Sequence, residues 1–429
     1  MTYKETLEFL YKQLPAFHRI GKAAYKADLS NSTALDNYFG HPHTHYKTIH
    51  IAGTNGKGSV SHMIASVLQE AGYKTGLYTS PHLKDFRERI KINGLMISEN
   101  EVTDFVQRHR KIIEAVKPSF FEMTVALAFD SFSQHMIDVA VVEVGLGGRL
   151  DSTNIITPVL SLITNIGHDH MDLLGDTLEK VALEKSGIIK KEVPVVISES
   201  QPETKDLFKK KASECNSSIV FADEKFLCRL GKEFSFSGER EFYVSDLNTG
   251  IEYKGISPLA GDYQSGNIQA LFAAFENLLP HFSLDHKTLL DGIKNTLKNT
   301  GLMGRWQILG ISPLTICDTG HNREGLEYVL RQLESLNSSC LHFVVGFVND
   351  KDLNSILPLF PQNAKYYFTR ASVDRALDED KLMAVASHFG LEGTSFPNVK
   401  AAYENARAKA TTSEVIFIGG STFVVAEAL

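Results

Sequence analysis

From about residue 47 to about residue 220, short apolar runs alternate with stretches of helical periodicity. This alternation constrains the fold more than any other feature of the chain. The runs KTIHIA, KTGLYTS, IDVAVVEVG, VLSLITNIG and VPVVIS predict strands of a mainly parallel sheet, linked by helices. Between about Phe226 and Gly255 the pattern changes to short alternating segments such as EFSFSG and EFYVSD, which predict a small antiparallel hairpin insertion. Helical periodicity returns in NIQALFAAFENLL and KTLLDGIKNTL, and KNTGLMG then breaks it with two glycines. A second βα series follows in LTICDTG, EGLEYVLRQLESL, LHFVVGFV, AKYYFTR, KLMAVASHFG, AAYENARAKA and EVIFIGG. A chain of 429 residues exceeds what one core usually spans. The expected organisation is therefore an N-terminal phosphate-loop domain over 1–300 with the antiparallel insertion, and a C-terminal Rossmann-like α/β domain over 301–429.

Composition narrows the function. Hydrophobic content of 43% and charged content of 22% are those of a soluble globular chain. A formal charge of −7 argues against a nucleic-acid binder, which would present a basic face. Cys215, Cys228, Cys317 and Cys340 are widely spaced and form no CxxC pair, so a reduced cytosolic protein is expected rather than a disulfide scaffold or a structural zinc site. The segment MTYKETLEFLYKQLPAF reads as an amphipathic helix rather than a signal peptide. No apolar run approaches the roughly 20 residues that span a bilayer, so a cytoplasmic protein without a membrane partner is expected.

In open α/β sheets, ligands gather beyond the carboxyl ends of the strands. The first such end is IHIAGTNGKGS. Gly53, Gly56 and Gly58 let backbone approach an anion, and the helix beginning near Ser59 supplies N–H groups. Thr54, Asn55, Gly56, Lys57, Gly58 and Ser59 are thus candidate nucleotide contacts. Lys57 would reach the β- and γ-phosphates and Ser59 a magnesium ion; a plain glycine turn is the alternative. The second end places Ser80 before Pro81, where a turn serine reads equally well. The third interrupts the apolar run Val139–Val144 with Glu143, whose buried carboxylate calls for a metal or for an ion pair such as one with Arg149. The fourth delivers His168, Asp169 and His170, with a solvated loop histidine as the alternative. In DTLEKVALEKSGIIKK, Lys185 falls in an apolar stripe with Leu178, Val181, Ile188 and Ile189. It either snorkels to solvent or, chemically modified to carry negative charge, meets a metal.

Taken in order, GTNGKGS, YTSPHL, FRERIKING, EVGLGGRLDSTN, NIGHDHMDLLG, LEKSGIIK, GRWQ and DTGHN closely resemble the dihydrofolate synthase/folylpolyglutamate synthase family of the Mur ligase superfamily. The resemblance runs from the N-terminal helix to GGSTF. It implies an ATP-dependent ligase with one or two Mg2+ ions: Ser59, Ser80 and Glu143 at one, Glu143 and His170 at the other, and Lys185 at the position of a carbamylated lysine. It further implies nucleotide contacts from Asn267, Arg305, Asp318 and His321. Ser80, His82, Phe121, Asp151 and Ser152 are implied at the site of the pterin-bearing substrate. The chain departs from the family's pattern at Met303, at Tyr263-Gln264 and in DTGHNR. His41, His43 and His45 fall in a loop that is variable and basic in the family.

The implied partners are ATP, L-glutamate and either dihydropteroate or a reduced folate, handled by a monomer. A substrate carboxylate attacks the γ-phosphate to give an acyl phosphate and ADP, and the glutamate α-amine then displaces phosphate. Lys57, Lys185, Glu143 and His170 are the candidate catalytic residues, working by positioning and charge neutralisation. The second domain would close over the reaction centre and exclude water. The position of Phe121, Asp151, Ser152 and the Ser80–His82 segment favours a bifunctional synthase. The alternatives are a monofunctional folylpolyglutamate synthase, a muropeptide ligase, for which little chain precedes the loop, and a non-ligase phosphate-loop switch.

Overall fold

The computed structural model describes residues 1–14, 28–235 and 237–429. The end of the expected N-terminal helix, Pro15 to Phe17, and Phe236 of EFSFSG lie outside them. The chain divides into two compact units. The first comprises Met1–Arg229, Phe242–Ile256 and Ser265–Gly301; the second comprises Leu230–Glu241, Ser257–Gln264 and Leu302–Leu429.

The first unit is built on an eight-stranded sheet. Its strands are β1 (Lys47–Ala52), β2 (Thr75–Tyr78), β3 (Ile90–Ile92), β4 (Leu95–Met96), β5 (Val139–Glu143), β6 (Leu160–Ile163), β7 (Val195–Ile197) and β8 (Ile219–Phe221). Their order is β4-β3-β2-β5-β1-β6-β7-β8. All pairs from β2 to β8 are parallel, and β3 and β4 add an antiparallel edge. Every expected strand of this unit is present. Sequence periodicity does not reveal β3, β4 and β8, because two or three residues carry no readable alternation. Strand β1 lies at the centre, with Ile51 opposite Glu143 of β5 and Leu162 of β6. The four strands whose ends carry chemistry, β2, β5, β1 and β6, are therefore consecutive in the sheet. Successive ends lie about 5 Å apart.

The helix Lys57–Glu70 is buried at every position from Ser59 to Leu68. It is enclosed because the helix His286–Lys294 packs tightly against it. Ser66 Oγ donates to Gly292 O at 2.6 Å, and a Cβ on Gly292 would collide with the Val67 backbone. On the β2–β5 side, the helix Phe120–Gln134 starts from a capping box of Ser119 and Glu122 and buries Phe129 and Phe132 in an aromatic-rich core. Full burial of such rings is worth about 2–3 kcal/mol each.

Three strands, β9 (Phe226–Phe234), β10 (Arg240–Asp246) and β11 (Glu252–Ser257), form the antiparallel insertion in the order β11-β10-β9, one strand more than a hairpin. In the second unit β12 (Gln307–Ile311), β13 (Leu314–Cys317), β14 (Leu341–Val345), β15 (Lys365–Thr369), β16 (Gly393–Phe396) and β17 (Val415–Gly419) form a six-stranded sheet ordered β12-β13-β17-β14-β15-β16. Only β12 runs antiparallel. This is the expected Rossmann-like α/β architecture, with helices Arg323–Ser335, Glu379–Ser387 and Val399–Lys409 between strands. No helix among the described residues is long and apolar enough to cross a membrane.

Candidate active site

Beyond β1 the chain enters the glycine loop. Gly53 has φ +142° and Gly56 φ +88°. A Cβ at Gly53 would overlap Thr164 Oγ1, and one at Gly56 would overlap Asn267 Oδ1, so both positions require glycine. The segment beyond β6 holds this loop. Thr54 N donates to Asn165 O at 2.9 Å, Asn55 N to Asn165 Oδ1 at 2.8 Å, and Gly167 N to Thr54 Oγ1 at 2.9 Å. The helix begins at Lys57 rather than near Ser59, and its N-cap, Gly56, offers no side-chain acceptor. Its first N–H groups are thus presented as an anion cradle at the positive end of the helix dipole. Asn267 is buried beside Gly56, against this loop.

Two lysines converge on one carbonyl. Lys57 Nζ donates to Gly53 O at 2.9 Å and to Thr54 O at 3.0 Å, while Lys185 Nζ donates to Gly53 O at 2.8 Å. Lys185 is 4% exposed, so it does not snorkel to solvent. Burial, reinforced by the neighbouring Lys57 ammonium and opposed by Asp169 and Asp151, lowers its pKa from 10.5 to about 7. The helix carrying it ends at Ser186, earlier than periodicity predicts; Ile188 and Ile189 are buried in the turn that follows, not on the helix. The stripe merges the helix with this turn because both face one core.

Glu143, 4% exposed at the end of β5, accepts the Ser80 N–H at 3.0 Å, which ties the second strand end to the third. Arg149 binds Glu184, with NH2 to Oε1 at 2.8 Å. Ser59 is buried in the first helical turn. His170 takes a left-handed conformation with φ +53°, and its Nε2 lies 3.8 Å from Asp169 Oδ2. Serine hydroxyls and a buried carboxylate are hard oxygen donors, a set that fits Mg2+ or Mn2+ rather than a thiophilic ion. Lys185 fits the same set only as a carbamate.

Asp151 is buried with both carboxylate oxygens engaged. Oδ2 accepts Gly145 N at 3.0 Å and Leu146 N at 2.9 Å, and Oδ1 accepts Thr153 N at 3.0 Å and Thr153 Oγ1 at 2.5 Å. Burial raises its pKa, while these bonds oppose the rise. Its role here is to shape the glycine segment after β5 and to start the turn that contains buried Ser152. Phe121 packs against Gly145, where a Cβ would overlap its ring, and edge-on to Tyr78 at 6.1 Å. His82 accepts the Arg89 Nε–H at its Nδ1, 2.7 Å away, with the Tyr11 hydroxyl 3.4 Å from its Nε2.

Sequence reasoning passed over Arg89. It is 5% exposed, sits 5.3 Å above the Phe120 ring and faces the Tyr78 and Tyr11 phenols, and burial lowers its pKa. Among the described residues no carboxylate forms an ion pair with it. Its polar partners are the His82 ring and the Tyr78 phenol, and the Glu143 carboxylate opposes the fall in its pKa from further off. The signal in FRERIKING is weak: Arg89 directly precedes the short strand Ile90–Ile92, whose centre is Lys91.

In the second unit Asp318 follows β13. Its Oδ2 accepts Tyr263 Oη at 2.6 Å and Trp306 N at 2.7 Å, and its Oδ1 accepts Gly320 N at 2.7 Å. Arg305 NH1 donates to Gly304 O at 3.2 Å and to the Thr319 hydroxyl, while His321 Nδ1 lies 3.0 Å from Thr319 O. Asp318 thus knits GRWQ to DTGHN, and Tyr263, one of the departures from the family pattern, supplies part of the knot. His41 and His43 both bind Asp36, at 2.6 and 2.8 Å, and His45 binds Ser133 at 2.7 Å; this geometry is a hydrogen-bonded loop, not a metal centre.

Residues 51–275 match the Mur ligase middle domain, and residues 304–422 match the Mur ligase glutamate ligase domain. The dihydrofolate synthase/folylpolyglutamate synthase of Bacillus subtilis is 33% identical over 382 residues, covering 83% of this chain and 85% of that protein. The chain belongs to this family of Mur ligases. It is an ATP-dependent ligase. Among solved structures, Escherichia coli FolC in complex with DHPP and ADP superposes with a TM-score of 0.84 at 26% identity, covering 100% of this chain and 97% of that one. A bifunctional folylpolyglutamate synthase/dihydrofolate synthase with Mn, AMPPNP and L-glutamate bound gives 0.82 at 25% identity, covering 100% and 97%.

Proposed function

We propose that this ligase joins L-glutamate both to dihydropteroate and to the γ-carboxylate of reduced folates. The observation that carries the reading is the side-by-side placement, on consecutive strand ends, of the anion loop at Gly53–Ser59 and the buried carboxylate of Glu143. Support for the substrates comes from the DHPP and L-glutamate held by the two solved relatives.

The loop N–H groups and the Lys57 ammonium take up the charge of the ATP phosphates, Lys57 exchanging its carbonyl partners for phosphate oxygens. Arg89 pairs with the substrate carboxylate, satisfying its buried guanidinium and holding the carboxylate in line with the γ-phosphorus. One carboxylate oxygen bonds to that phosphorus as the bond to the ADP oxygen breaks. The glutamate α-amine then adds to the acyl carbon and expels phosphate. Ser59, Ser80, Glu143 and His170 would hold Mg2+, which when bound would supply positive charge to the phosphate oxygens. With its pKa at about 7, Lys185 presents a neutral amine that adds to CO2 and loses a proton, becoming a carbamate. Phe121 and Tyr78 wall the pterin side; Asp151 and Ser152 shape that wall. Arg305, Asp318 and His321, all within the second unit, are its candidate nucleotide contacts.

ADP formation with dihydropteroate or with tetrahydrofolate, each with and without L-glutamate, tests this. Glutamate-dependent ADP release with both acids is expected. Turnover with tetrahydrofolate alone removes the dihydrofolate synthase activity, and glutamate-independent hydrolysis removes the ligase chemistry altogether.

A further inference from the structure

The amino ends of the second unit's strands carry a side-chain cluster unrelated to ATP or folate. Cys340 immediately precedes β14, His342 is its second residue, and Glu414 immediately precedes β17. Strands β14 and β17 are parallel neighbours, with Leu341 opposite Val415, so the three residues meet at one sheet edge. DTGHN leaves the opposite, carboxyl edge, about one strand length or ~16 Å away. One sulfur, one imidazole nitrogen and one carboxylate oxygen lie within 4.8 Å of one another, the only such grouping of three among the described residues.

The cluster is constructed around a fixed ring. His342 has no exposed surface, and its Nδ1 lies 3.0 Å from the Tyr367 hydroxyl, the two rings stacked at 14°. Its Nε2 faces Glu414 Oε2 at 3.3 Å. Thr411 N pins the same carboxylate at 2.7 Å. The Cys340 carbonyl is held by Val415 N at 3.2 Å and by Ser338 Oγ at 2.8 Å, which sets the thiol beside the ring. Two cations stand nearby: Lys365 Nζ at 3.8 Å from Glu414 Oε1, half-exposed, and Lys409 above the Tyr367 ring at 5.8 Å.

We propose that Cys340, His342 and Glu414 form a binding site for a borderline divalent cation of the zinc type, with water as the fourth ligand. Sulfur, imidazole and carboxylate together select Zn2+ over the hard Mg2+ used with ATP. A tetrahedral ion with bonds of about 2.0–2.3 Å needs donors roughly 3.3–3.6 Å apart. Rotation of the Cys340 and Glu414 side chains closes the present spacing while His342 stays in place. The protons balance. The thiol releases one to solvent, and the ring proton shifts from Nε2 to Nδ1, where it is donated to Tyr367 Oη. Tyr367 then orients the ligating ring from behind, as outer partners of metal-bound histidines do. Lys365 swings into water as the carboxylate turns to the ion.

Metal-stripped full-length protein titrated with Co2+ reads the site without any activity measurement. A sulfur-to-cobalt charge-transfer band saturating at one ion per chain is expected, and Zn2+ should displace it. Cys340→Ser should abolish the band and weaken Zn2+ binding, measured by competition with a chromophoric chelator, by at least tenfold. Tyr367→Phe should weaken it by about 10–100-fold with the band retained. Cys215→Ser should leave both unchanged. Thermal melts of each variant check folding. A wild-type chain without the charge-transfer band, or one whose Zn2+ affinity survives Cys340→Ser, overturns the site.

Discussion

Replacing Lys185 by Met separates what this residue costs the fold from what it supplies. Lowering its pKa from 10.5 to about 7 corresponds to ~5 kcal/mol of unfavourable burial of the charged form. The hydrogen bond to Gly53 O returns about 1 kcal/mol. Because the folded pKa is depressed, both states are protonated below about 7 and the full penalty applies there. Between about 7 and 10.5 the unfolded chain binds more protons, so wild-type stability recovers by ~1.4 kcal/mol per pH unit, and above 10.5 the penalty is gone. Lys185→Met should thus be more stable than wild type by about 3 kcal/mol at pH 7 and about 1 kcal/mol at pH 9, with no advantage at pH 10. Urea denaturation followed by circular dichroism in carbonate-free buffer measures the gap, and ADP formation should fall to a small fraction of wild type. A gap constant from pH 7 to 10, or a variant less stable at pH 7, would refute the reasoning.

Glu143→Gln keeps an acceptor for the Ser80 N–H and removes the charge; turnover should drop by about 10³-fold, against a melting temperature within a few degrees of wild type. Arg89→Gln should raise KM for the pterin-bearing acid by roughly 30-fold or more in steady-state assays, leaving the KM for ATP within about twofold. His50 is fully buried against Thr153, and burial, with Lys190, lowers its pKa from 6.5 to about 3. Its neutral form contributes fully above pH 6.5, and the contribution fades by ~1.4 kcal/mol per pH unit as pH falls toward 3. His50→Gln should flatten the acid limb of stability measured by urea titration between pH 6 and 4.

The sequence exposes most of this architecture because burial writes itself into long apolar runs. Strands β1, β5 and β6 and the glycine turn after β1 are legible for that reason. Glu143 stands out as a charge inside such a run. What stays hidden depends on tertiary contact. Lys185 occupies a helix and turn facing one core, so periodicity alone does not distinguish burial from snorkelling. Asp151 and Asp318 each accept backbone N–H groups besides a side-chain hydroxyl, a structural duty that depends on the folded chain and leaves no mark in the sequence. Arg89 carries no periodic signal of burial in FRERIKING, and only the folded chain shows it enclosed beside Phe120 and His82. Cys340 and Glu414 are far apart in sequence and meet only because β14 and β17 are neighbours.

The central claim, that an acyl phosphate links ATP cleavage to amide formation, is tested most directly by isotope transfer. Dihydropteroate labelled with 18O in its carboxylate is turned over with ATP and L-glutamate, and the released phosphate is analysed by mass spectrometry. One carboxylate oxygen should appear in phosphate for each amide formed. Unlabelled phosphate alongside amide product, or label entering phosphate only from 18O-water, would contradict the account.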